Sequence, residues 1–119
     1  MEQRYKKEII EVFKIGVHDI FNTEISDEKA IYLLNQPNTL FIAYPSLEDI
    51  YAFSFNTIEK CPFTDRVIFY VNILWVDENY RGTKVFKEIR DLTQSIGLQI
   101  TDYIEFSLRA DLGERFARK

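Results

Sequence analysis

The segment Tyr80-Arg81-Gly82-Thr83-Lys84 combines the residue types with which a backbone turn grips a phosphate. A glycine, which permits close approach and positive φ, stands between two cations and directly before a run of helical periodicity. The first amides of a helix have no intrahelical partner and lie at the positive end of its dipole, so an anion is favoured there. Arg81 and Lys84 add charged donors for phosphate oxygens. Taken alone, an Arg-Gly pair is equally consistent with a tight turn in which Gly82 only reverses the chain. The flanking elements weigh on that choice.

Before the turn, residues 66–76 read as the strongest strand of the chain. Val67, Phe69, Val71, Ile73 and Trp75 alternate onto one face, and Ile68, Tyr70, Leu74 and Val76 onto the other. A strand apolar on both faces is a central strand covered on both sides. After the turn, Val85, Phe86, Ile89, Leu92 and Ile96 make the buried stripe of a helix from about Thr83 to Ile96, with Gly97 as its stop. Further upstream, Tyr5, Ile9, Phe13, Val17 and Ile20 predict an amphipathic helix over residues 2–21, with Gly16 as a point of bending. Ser26-Asp27-Glu28 starts a second helix that ends by Pro37-Asn38. Residues 39–44 and 49–58 read as a hairpin around Pro45-Ser46-Leu47-Glu48. A strand over 103–108 and a short helix from about Asp111 to Lys119 complete the order α-α-β-β-β-α-β-α. The β-α-β unit requires two parallel strands, and the hairpin makes the sheet mixed.

The chain has 119 residues, enough for one compact domain over 1–119 and too few for two. Apolar residues make up 46% and aromatic ones 15%, which supports a packed core and excludes a disordered chain. A formal charge of −4 gives no global attraction to nucleic acid or to an anionic membrane. No apolar run is long enough to span a bilayer, and the mixed charges of residues 1–8 do not form a signal peptide. One cysteine, Cys61, rules out an internal disulfide, and with His18 as the only histidine a His/Cys zinc site is not expected. A cytoplasmic protein with a reduced thiol is the expectation.

Within this frame Ile73-Leu74-Trp75-Val76-Asp77-Glu78-Asn79-Tyr80-Arg81-Gly82, followed by an amphipathic helix, resembles the central motif of the GNAT superfamily of N-acetyltransferases. The resemblance extends over most of the chain and is specific from about Ile73 to Phe86. It implies an α/β (α+β) fold: a mixed, mainly antiparallel sheet flanked by helices, truncated at its C-terminal strands and lacking a first strand. It implies acetyl-CoA as acyl donor and an amine, on a small molecule or a protein, as acceptor. The pantetheine arm would run along the backbones of Leu74, Trp75 and Val76. The pyrophosphate would sit on Arg81, Gly82, Thr83, Lys84, Val85 and Phe86.

The chain also departs from that family's pattern. Lys84 replaces the second small residue of the turn, where it either crowds or grips the pyrophosphate. Many members carry a glutamate base four residues before the strand's last Val; here it is Asn72, which takes no proton near neutral pH. Ala117 and Ala110 stand where a Tyr acid and an Asn are common, and the chain ends at Lys119 before the usual last strands. Two function classes follow: an acetyl-CoA-dependent N-acetyltransferase, or a catalytically inactive GNAT-fold protein. The turn's Tyr-Arg-Gly-x-Lys form is similar to that of phage-encoded members, so the inactive protein would be a virion, structural or host-interaction component, in the host cytoplasm or the virion. A sheet edge left open at the chain end would favour a homodimer.

The other polar and aromatic residues each carry two readings. Asn72 orients a substrate or is a core amide satisfied by neighbouring backbone. Tyr70 and Tyr103 give hydroxyls to the cleft between the parallel strands or simply pack. Glu105 is the remaining carboxylate for proton work or part of a solvated face. Asp77 and Glu78 cap the turn. His18 serves as a base only where its helix lines the cleft. Trp75 and Phe63 line an acceptor pocket or belong to the core, and Cys61 has no neighbour expected to lower its pKa.

Overall fold

The computed structural model describes residues 5–106. Helix α1 (Lys7–Phe21) buries Ile9, Ile10, Phe13, Gly16 and Val17, a stripe at helical spacing, and closes at Asn22 in the left-handed region. It starts at Lys7, later than the periodicity suggested, and runs through Gly16 without interruption. Helix α2 (Asp27–Leu34) is capped as its sequence predicts: the Ser26 hydroxyl accepts from the Lys29 amide at 3.1 Å. Strands β1 (Thr39–Pro45), β2 (Ile50–Lys60) and β3 (Val67–Val76) follow, then a short 3₁₀ turn (Glu78–Tyr80), helix α3 (Val85–Ile100) and strand β4 (Tyr103–Phe106). Pro45 is thus the last residue of β1 and not the first of the turn.

The sheet runs β1-β2-β3-β4, with β1/β2 and β2/β3 antiparallel and β3/β4 parallel. This is the mixed, mainly antiparallel sheet expected from the hairpin and the single β-α-β unit. Helices α1 and α2 cover one face over Phe41, Phe53, Phe55, Ile73 and Trp75. Helix α3 covers the other, where Val85 and Ile89 pack on Ile42, Ala52, Phe69, Val71, Leu74 and Val76.

The faces of β3 differ from simple alternation. Phe55 pairs with Ile73 but Asn56 with Val71, so Asn72 is an extra residue bulged out of the ladder. The bulge reverses the side-chain parity. Phe69 and Val71 therefore join Leu74 and Val76 against α3, while Ile73 and Trp75 face α1. Val67, assigned to the buried face by alternation, is 39% exposed at the strand's start.

Helix α3 also departs at both ends. It begins at Val85, two residues later than expected, and passes through Gly97 to Ile100. Gly97 is a contact glycine: a Cβ there would stand 2.9 Å from Phe69 Cδ1 and 3.0 Å from Ile104 Cδ1. Thr93 lies in the buried face, its hydroxyl 2.7 Å from that of Ser54, which also accepts from Asn56 Nδ2 at 3.0 Å. The expected residues 107–108 of the last strand, the helix from Asp111 to Lys119 with Ala110 and Ala117, and residues 2–4 lie outside the described residues.

Candidate functional site at the end of β3

Leu74, Trp75 and Val76 are the buried C-terminal end of β3. On one side Val76 pairs with Ala52 and the Asp77 amide donates to the Tyr51 carbonyl at 2.8 Å. On the other side β4 pairs with Ile68, Phe69, Tyr70 and Val71. Among the described residues, no strand adjoins the β4-side edge of Ile73–Val76. Apart from the Val76 carbonyl, which accepts from Arg81 Nε, that edge can accept an extended ligand by strand-like hydrogen bonding.

The chain then turns in a fixed way. Asp77 Oδ1 accepts from the Asn79 amide at 2.9 Å, the capping role expected for it. The amides of Arg81 and Thr83 donate to the carbonyls of Glu78 and Tyr80. The Thr83 hydroxyl donates to the Tyr80 carbonyl and accepts from the Val85 amide. Gly82 has φ of 81°, a conformation that disfavours a Cβ, and nothing lies within 4 Å of where a Cβ would stand. From Arg81 to Val85, three amides are thus spent within the turn. Those of Gly82 and Lys84 have no partner among the described residues. Lys84 is exposed and forms no ion pair among those residues. An open glycine corner, two available amides and a cation fit an anionic group such as a pyrophosphate.

Arg81 is placed differently from a simple phosphate ligand. Its Nε donates to the Val76 carbonyl at 2.9 Å and an Nη to Asp19 Oδ2 at 3.1 Å. The same Asp19 oxygen accepts from the Trp75 indole at 2.8 Å. Sequence reasoning passed over Asp19. One signal was present: a carboxylate in the last turn of α1 faces the negative end of the helix dipole, and so needs a partner elsewhere.

The remaining residues separate. Asn72 is half-buried, and its amide donates to the Thr57 hydroxyl at 2.9 Å, a side chain and not the backbone. Tyr70 and Glu105 are register partners on β3 and β4; burial raises the Tyr70 pKa, with the charges of Glu105 and Glu59 adding to it. Glu105 is exposed, and Arg66 lies over the Tyr103 ring at 4.6 Å. His18 is exposed on α1, with Nδ1 3.9 Å from Asp19 Oδ1. Trp75 is core, whereas Phe63 is 94% exposed and joins neither core nor site. Contrary to expectation, Cys61 does have neighbours that lower its pKa. Its thiol is held below the ordinary pKa by a hydrogen bond from the Thr64 hydroxyl, then by backbone bonds at Phe63 and Thr64, with Arg66 nearby.

No protein-family model matches the chain, and no curated protein matches it. Solved structures do. An aminoglycoside acetyltransferase from an uncultured soil metagenomic sample, in complex with trehalose, superposes with a TM-score of 0.69 at 18% identity, covering 94% of this chain and 77% of that one. A ribosomal-protein-alanine N-acetyltransferase from Brucella melitensis gives 0.71 at 13% identity, over 93% of this chain and 83% of that one. A possible acetyltransferase from Clostridium difficile gives 0.67 at 12%, over 87% and 72%. The fold is that of the GNAT acetyltransferases.

Proposed function

We propose that this chain binds acetyl-CoA and transfers its acetyl group to an amine of a small molecule or protein. The open Gly82 corner before α3, directly beyond the edge of β3 that no strand adjoins among the described residues, carries the reading. The likeness in fold to acetyltransferases supports it. In such a transfer the amine nitrogen attacks the thioester carbonyl carbon. The C–N bond forms, the C–S bond breaks, nitrogen loses a proton and sulfur gains one. The Gly82 and Lys84 amides and the Lys84 ammonium would hold the pyrophosphate, and the backbone of Leu74, Trp75 and Val76 would align the pantetheine arm. Thr83 stiffens the corner, Val85 and Phe86 root it on α3, and Arg81 braces it from below. Positioning of this kind supplies a large part of an acyl-transfer barrier. Asn72 cannot accept the amine's proton, so water or the exposed Glu105 takes it.

A second reading has its own observation. The amide of Asn72 is committed to Thr57 at the position where a base would stand. This favours a binding protein that keeps the fold without the chemistry, such as a phage virion or host-interaction component. A cytoplasmic setting and a homodimer fit either reading.

Calorimetric titration with acetyl-CoA, with Gly82→Glu as control, tests the proposal. Micromolar binding that Gly82→Glu abolishes is expected, because a carboxylate there repels the pyrophosphate. A folded wild-type protein that binds no acetyl-CoA would overturn it. Binding without turnover on any amine acceptor would favour the second reading.

A further inference from the structure

We infer that Asp19 is a positioning residue for the glycine turn, holding Arg81 against the end of β3 and so fixing the backbone that enters Gly82. The inference deepens the acetyl-CoA reading and rests on it for its ligand-binding consequence.

The geometry joins three elements through one carboxylate oxygen. Asp19 Oδ2 on α1 accepts from the buried indole of Trp75 on β3 and from the guanidinium of Arg81 in the turn. Arg81 in turn donates its Nε to the carbonyl of Val76, the last residue of β3. Two of its nitrogens are therefore used within the protein before any ligand arrives. A guanidinium bonded at both Nε and Nη is fixed in plane, and its own backbone follows. Arg81 immediately precedes the left-handed Gly82, so the direction in which the corner opens depends on where Arg81 is held. The Trp75 bond orients the carboxylate, because a buried indole N–H needs an acceptor. Asp19 is well placed to act and poorly placed to be a ligand itself: a pyrophosphate would be repelled by it.

Asp19→Asn is a selective probe, because an amide oxygen still accepts from Trp75 while the charge that holds Arg81 is gone. Hydrogen exchange without ligand reads the turn directly. The amides of Arg81 and Thr83, which donate within the turn, are expected to exchange about three- to fivefold faster in Asp19→Asn, as for a partly exposed ion pair. Arg81→Gln should match it, and the double variant should add nothing further. Exchange in the core of β2 should stay as in wild type, and Asp19→Glu should restore most of the protection. The acetyl-CoA dissociation constant should rise by a similar factor. Unchanged exchange at Arg81 and Thr83 in Asp19→Asn, or additive effects of the two single variants, would overturn the inference. Wild-type protein that binds no acetyl-CoA overturns the cofactor reading instead, and the ligand-free exchange still decides the Asp19 link.

Discussion

Tyr51 and Tyr80 stack face to face, with ring centroids 4.0 Å apart and planes 12° from parallel. One ring belongs to β2 and the other ends the 3₁₀ turn, so the stack clamps the approach to Arg81 onto the sheet. The backbone bond from the Asp77 amide to the Tyr51 carbonyl closes the same joint. The strand edge and the glycine corner are therefore held at a set distance.

This joint has a signature in alkali. The Tyr51 phenol is pushed up to about 12, first by its hydrogen bond with Tyr80, then by its bond to Asp49 and that carboxylate's charge. A phenol ordinarily titrates near ~10. The folded state thus keeps its proton longer than the unfolded one. The joint's contribution is full below pH ~10 and is lost as pH rises through about 12. Phenolate absorbance should show one tyrosine titrating about two units after an ordinary one, and Tyr51→Phe should remove that late step. A step near about 12 that persists in Tyr51→Phe would sink the assignment.

The order of elements from α1 to β4 was legible because each relies on local spacing. The stripe Ile9, Phe13, Val17 gives α1, the Ser26 cap gives α2, and the apolar run into Val76 gives the central strand. The bulge at Asn72 was not legible. A period-two reading carries one parity through the strand, and only pairing with β2 shows that Asn56 opposes Val71 and skips a residue. Gly97 does not stop α3, for a related reason: its close approach to Phe69 is tertiary and leaves no local trace. At the site, the Gly82 corner was visible because strand, glycine and helix are contiguous. The brace was not, since Asp19 lies 62 residues from Arg81 and 56 from Trp75.

The loop between β2 and β3 offers a second titration. Hydrogen bonding from the Thr64 hydroxyl is the main cause that lowers the Cys61 pKa, because it stabilises the thiolate. An acid whose folded pKa is depressed contributes stability above its unfolded pKa of ~8.5 and loses it as pH falls through the folded value. The rate of alkylation by iodoacetamide should therefore reach half its maximum at a pH below that of a free thiol. Thr64→Val should move the midpoint upward. A midpoint that ignores Thr64→Val would show that the hydroxyl has no part in it.

Gly16 tests the packing beneath the brace. A Cβ there would lie 2.4 Å from Phe53 Cζ, 2.6 Å from Phe53 Cε2 and 3.3 Å from Trp75 Cγ. Phe53 is fully buried, with Phe41 stacked at 4.9 Å, Trp75 at 5.3 Å and Phe13 at 6.0 Å, so its ring has nowhere to turn. Helix α1 must then lift away. Gly16→Ala should cost about 1–3 kcal/mol, the usual scale of an overpacked core, read from the midpoint of chemical unfolding. The helix carries Asp19, so lifting it also stretches the bond to Trp75 and slackens Arg81. Acetyl-CoA affinity should fall with stability, and Phe53→Leu in the Gly16→Ala background should recover part of both. If Gly16→Ala unfolds at the wild-type midpoint, α1 is not held by this contact.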